Sequence, residues 1–162
     1  MAPDAEETVK RYATAIGRVA AAYERDRHLR EDLVQDILLS VVTALPRLRD
    51  PSRLTAFVFR IAHNRCVNHV IRRQREPKLG DWPAEPPSET PTPEQAAIDR
   101  EGENALLAAI RSLTLPYRQV ITLLLEGLSY EEISRVVGAS VGATAVRINR
   151  AKQQLRDKLG AR

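Results

Sequence analysis

Apolar positions recur at helical spacing along most of the chain, and the places where that spacing breaks divide it into helices. From Glu6 to Tyr23, the residues Val9, Tyr12, Ala13, Ile16, Val19, Ala20 and Tyr23 share one side of a 3.6-residue period, which predicts a first amphipathic helix. After the charged break Arg25-Asp26-Arg27-His28, a second helix turns Leu33, Ile37, Val41 and Leu45 inward and stops at Pro46, which lacks the amide a helix interior needs. Its outer side carries Glu31, Asp32, Gln35 and Asp36. The helix dipole favours acidic groups at a helix start, and this alone would account for Glu31 and Asp32 but not for Gln35 and Asp36. A short basic loop, 46–53, leads into a third helix from Leu54 to about Arg75. Leu54, Phe57, Val58, Ile61 and Ala62 give its first half a face for a core. Its second half, N-R-C-V-N-H-V-I-R-R-Q-R, is too polar and basic to be buried and predicts an outside partner.

The helical pattern lapses at residues 76–95, where six of the ten prolines and five acidic residues exclude both helix and core. This stretch reads as a semi-extended acidic tether with Trp82 as its one large apolar group. From Ala96 a further helix carries Ile98, Ala105, Leu106, Ala109 and Ile110 and ends near Leu113. Another starts at Leu115-Pro116-Tyr117-Arg118, turns Val120, Ile121, Leu124 and Leu125 inward and closes at Gly127. The stretch Ser129 to Ala151 then reads as helix, sharp turn, helix. Ser129 and Glu132 have the spacing of a reciprocal cap, Ile133, Val136 and Val137 form one apolar side, and Gly138 supplies the left-handed residue that ends the first helix. Ser140 can cap the second, on which Ala143, Val146 and Ile148 offer packing surface while Arg147, Asn149, Arg150 and Lys152 stay available to a partner. This is the layout of a DNA-reading helix-turn-helix.

Composition agrees with helices. With 43% hydrophobic but 4% aromatic residues the core must be built from Leu, Ile, Val and Ala, as in helical bundles. The fold class expected is all-α: two small helical domains, an N-terminal bundle (1–75) and a C-terminal four-helix helix-turn-helix domain (97–162), joined by the Pro-rich acidic linker 76–96. Lys plus Arg against Asp plus Glu is 14 against 9 for residues 1–75, 1 against 6 for 76–99 and 10 against 6 for 100–162. Two basic modules flank an acidic strip, the distribution a phosphate-bearing partner requires. A single cysteine forms no internal disulfide, and no signal peptide or membrane span is expected, so the chain is placed in the cytoplasm with no membrane insertion.

Within the third helix, Arg60, Asn64, Asn68 and Arg72 lie four apart and form one slowly winding stripe of amide and guanidinium groups. Amides can read base edges and guanidiniums can hold phosphates. Two asparagines in mid-helix oppose helix propensity, which favours a use over a merely solvated face. His63, Cys66 and His69 are spaced three apart, but they spread over about 120° of the helix. That makes three ligands at most, with no fourth nearby, so packing or DNA proximity is preferred to a metal site, and a redox role for Cys66 has no support. No metal or other cofactor is expected. An enzyme would need a phosphate-cradling glycine loop, a larger ligand cluster or a nucleophile with a base, and the sequence offers none of these.

The order of these parts resembles the extracytoplasmic-function (ECF) sigma factors of the sigma-70 family, across nearly the whole chain. E-D-L-V-Q-D-I at 31–37 is similar to that family's core-polymerase-binding segment, and F-V-F-R-I-A-H-N-R-C-V-N-H at 57–69 to the segment that melts and reads the minus-ten element. L-P-Y-R-Q-V-I at 115–121, G-L-S-Y-E-E-I at 127–133 and V-R-I-N-R-A at 146–151 resemble the region that binds the minus-thirty-five element. Phe57 stands where the family usually has Trp, Asn68 where many members have Asp, and A-T-A-V replaces the commoner T-V-K-S. The resemblance implies a non-enzymatic factor that directs core RNA polymerase to promoters and assists their melting. Its implied partners are core RNA polymerase and promoter DNA, with room for an anti-sigma factor. Glu31, Asp32, Gln35 and Asp36 would face the polymerase; Phe57, Arg60, Asn64, Asn68, Arg72 and Arg73 the minus-ten element; Arg118, Ser140, Thr144, Arg147, Arg150 and Lys152 the minus-thirty-five element. The alternative is an autonomous helix-turn-helix regulator acting without polymerase, which would read its site as a dimer; the chain has no sustained heptads to form one.

Overall fold

The computed structural model describes residues 3–76 and 105–160, and every regular element among them is helical. The elements are α1 (Ala5–Ala21), α2 (Arg27–Ala44), α3 (Leu54–Arg75), α4 (helical over 105–112), α5 (Leu115–Leu125), α6 (Tyr130–Val137) and α7 (Val141–Gly160). Two short 3-10 turns, Leu45–Arg47 and Pro51–Arg53, bridge α2 to α3. The expected tether with Trp82, and a helix start at Ala96, lie outside the described residues.

Local chemistry sets the helix ends. Asp4 caps α1 by accepting from the Glu7 amide, and Asp26 caps α2 by accepting from the Leu29 amide at 3.1 Å. Because α2 begins at Arg27, Glu31 and Asp32 lie beyond its first turn, where the dipole no longer explains them. Glu31 instead pairs with Arg27 across one exposed turn at 3.1 Å.

Helices α1, α2 and α3 bury Ile16, Val19, Leu33, Ile37, Val41, Val58 and Cys66 against one another. Tyr12 meets Phe59 edge-on, with ring centroids 6.0 Å apart, and its hydroxyl shares a hydrogen bond with Thr55. The buried side of α3 is Val58, Phe59, Ala62, His63 and Cys66, whereas Phe57 and Ile61, expected inward, are only half-buried. The helix is turned toward Phe59, whose buried ring packs edge-on against Tyr12 of α1.

In the remaining helices, Ile110, Leu113, Val120, Ile121, Leu123, Ile133 and Ile148 form the core. Leu125, expected inward, is 58% exposed; Leu123 takes the inward place. The capping box is present in both directions, Ser129 amide to Glu132 carboxylate at 2.9 Å and Glu132 amide to Ser129 hydroxyl at 3.1 Å. Gly138 has φ of 73°, the left-handed conformation that lets α6 stop and α7 leave at a new angle.

The two groups of helices touch. Arg111 Nε donates to the Ala21 carbonyl at 2.8 Å, satisfying an orphan acceptor at the end of α1. Arg18 grips Glu126 with two nitrogens at 2.8 and 2.9 Å, and Arg60 donates to the Arg135 carbonyl of α6 at 3.2 Å.

Candidate polymerase and nucleic-acid interfaces

Three surfaces emerge once the packing is known. The first is on α2. With Leu33, Ile37 and Val41 inward, Asp32 and Gln35 are exposed, and among the described residues neither side chain has an ionic or hydrogen-bonding partner. Asp36 is half-buried, 3.7 Å from Arg65 of α3. Leu39, one turn beyond Gln35, is 67% exposed, so an apolar group extends the same polar face.

The second surface runs along α3. Arg60, Asn64, Asn68 and Arg72 are all exposed, on the side opposite the buried Ala62 and Cys66. Neither asparagine side chain bonds to anything among the described residues. One buried carboxylate holds this half of the helix in place. Glu24, in the connection after α1, has a side chain only 4% exposed; its Oε1 meets His69 Nε2 at 2.9 Å and Arg73 Nε at 3.0 Å, while Oε2 accepts from the Asp26 amide at 2.9 Å. Sequence reasoning missed Glu24, because a lone Glu beside a charged break carries no periodic signal. Arg73, grouped by sequence with the minus-ten residues, pairs with Glu24 and helps fasten the helix while its side chain stays 45% exposed. Phe57 is half-buried at the core's edge.

His63, Cys66 and His69 do not converge. Cys66 is completely buried and burial pushes its thiol up to about 12, which leaves it protonated and unreactive. His63 is buried with Nδ1 unpartnered, and desolvation lowers its pKa to about 4. Among the described residues no set of three His, Cys, Asp or Glu side chains is placed to hold a metal ion.

The third surface is α7, where several expectations change. The Ser140 hydroxyl accepts from the Ala143 amide at 3.1 Å and so caps the helix, as its position suggested. Thr144, expected to read bases, is fully buried with its hydroxyl unpartnered. The reason is spacing: the core takes Thr144, Ile148 and Ala151, a three- and four-residue step that counts position rather than polarity. Ala143 and Val146, expected to pack, therefore face outward, with Val146 48% exposed, while Arg147 and Lys152 are half-buried and Asn149 and Arg150 exposed. Arg118 is also displaced from its expected role. Its guanidinium donates to the carbonyls of Arg111 and Leu113 at 2.9 and 3.1 Å and lies 5.6 Å from the centre of the Tyr23 ring, so it closes the end of α4 instead of facing DNA.

A direct test follows. Thr144→Val removes a buried hydroxyl without a partner while keeping the shape, so thermal unfolding should show a gain of roughly 1 kcal/mol and promoter affinity should not change. A loss of affinity would return Thr144 to the DNA surface.

Known proteins share this architecture. The Sigma-70 region 2 family matches residues 8–76, and the Sigma-70, region 4 family matches residues 103–155. These are the two parts that define a sigma-70-type factor. At the level of whole chains, the ECF RNA polymerase sigma factor SigD of Mycobacterium tuberculosis is 32% identical over 94% of this chain and 72% of its own length. SigE of Mycolicibacterium smegmatis is 34% identical over 97% of this chain, which spans 62% of that relative. The chain belongs to the ECF RNA polymerase sigma factors. The solved structure of CnrH in complex with the cytosolic domain of CnrY superposes with a TM-score of 0.71 at 25% identity, covering 97% of this chain and 88% of CnrH.

Proposed function

We propose that this chain binds core RNA polymerase through the Asp32 and Gln35 face of α2 and carries it to promoters, with α3 engaging the minus-ten element and α7 the minus-thirty-five element. The observation that carries this reading is the α3 stripe: Asn64, Asn68 and Arg72 exposed, with Arg60 exposed but bonded to the Arg135 carbonyl, on a helix anchored from behind by Glu24, the asparagines having no partner among the described residues. Such a stripe can hold bases that have left the duplex, each held base offsetting a few kcal/mol of lost stacking, roughly. The protein makes and breaks no bond in this scheme; polymerase supplies the chemistry, and the site of action is the cytoplasm. An anti-sigma factor would act by covering the same α2 or α3 faces.

The test is co-elution with core polymerase on size exclusion, compared for the wild type and for Asp32→Ala combined with Gln35→Ala. Both residues are exposed, so the variant should fold normally and lose at least tenfold in capture by core. Full co-elution of the variant would move the interface elsewhere. The isolated chain should bind duplex DNA weakly and with a steep salt dependence. Tight sequence-specific binding without polymerase would favour the autonomous regulator.

A further inference from the structure

We infer that Val146, with Ala143 beside it, reads the DNA through the C5-methyl of a thymine in the major groove, and that this apolar contact sets specificity in the upstream promoter element. The inference rests on α7 being the recognition helix, and deepens that reading.

At 100° per residue Val146 lies about 160° from Thr144 and about 160° from Ile148, so it stands almost directly opposite the buried face. It is the sixth residue of α7, in the N-terminal half that a recognition helix inserts into the groove. Gly142 and Ala143 precede it on the same outward side. A Cβ added at Gly142 would meet nothing within 4 Å among the described residues, so none of them crowds the helix at this point. Gly142, Ala143 and Val146 together form a smooth, small-residue wall that can approach base edges closely.

Two of the polar alternatives on this helix are occupied and a third is only partly accessible. Thr144 is buried, the Ser140 hydroxyl is used in capping, and Arg147 is half-buried. Hydrogen-bonded readout falls first to the exposed Asn149 and Arg150, which flank Val146. An exposed valine between two such residues is unfavourable in water but suits the one apolar feature that a base pair presents in the major groove, the thymine methyl.

The experiment uses holoenzyme reconstituted with core polymerase on a promoter it selects in vitro, with each upstream thymine replaced singly by deoxyuridine. Wild type should lose about fourfold at one or two positions, the worth of one buried methyl. Val146→Ala should lose a similar factor on thymine DNA and be indifferent to deoxyuridine at those same positions. Deoxyuridine effects that persist unchanged in Val146→Ala, or a promoter insensitive at every thymine, would overturn the inference. Arg150→Ala separates the two levels. If its promoter affinity falls while the methyl test fails, the inference alone is wrong; if it is unchanged, α7 is not the recognition helix.

Discussion

Holoenzyme carrying Asn64→Ala together with Asn68→Ala should capture promoters and fail to open them. The two side chains are exposed, lie a turn apart on α3 and bond to nothing among the described residues, so removing them takes no contact from the fold. Alanine is the better helix former, by some tenths of a kcal/mol at each site, and thermal stability should hold or rise slightly. An asparagine offers a donor and an acceptor to an unpaired base edge, a contact worth roughly 1–3 kcal/mol. Losing two such contacts should lower the equilibrium constant for opening by about thirtyfold at the least. Permanganate reactivity of unpaired thymines reports the opening directly, and co-elution with core, which we assign to α2, serves as the control. A double variant that melts promoter DNA like wild type removes the stripe from the mechanism. A collapse in thermal stability would instead make the asparagines structural.

The split between what could be read in the sequence and what could not follows the physics of each feature. Helix identity and the helix-turn-helix were legible because they depend on short-range events: the Ser129 to Glu132 cap, the left-handed Gly138, and apolar residues three and four apart. The amide stripe was legible for the same reason, since spacing on one helix fixes which residues share a side. Which side then faces the core is decided by partners distant in sequence. On α7 the apolar-inward rule failed, because the core accepted a threonine of valine's shape and left Val146 outside. Arg118 and Arg73 looked like free basic residues and turned out to be held, one by the carbonyls at the end of α4 and the other by Glu24. Long-range polar contacts such as Arg18 with Glu126 have no local signature at all.

Acid should lower the stability of the fold through a histidine on the inner side of the same helix. His63 immediately precedes Asn64 but points into the core, where burial lowers its pKa from 6.5 to about 4 and Nδ1 finds no partner. Well above pH 6.5 the histidine is neutral in both the folded and unfolded chains and contributes no slope. As the pH falls from 6.5 toward 4, the unfolded chain takes up a proton that the folded protein refuses, so stability declines through that window by up to roughly 3 kcal/mol. Urea midpoints measured from pH 7.5 to pH 4.5 should therefore fall for wild type more steeply than for His63→Leu, which removes both the titration and the orphan nitrogen. The difference between the two proteins isolates His63 from the carboxylates that titrate in the same range. Parallel slopes would show that the ring is protonated in the folded state, reached by water or by an acceptor along α3.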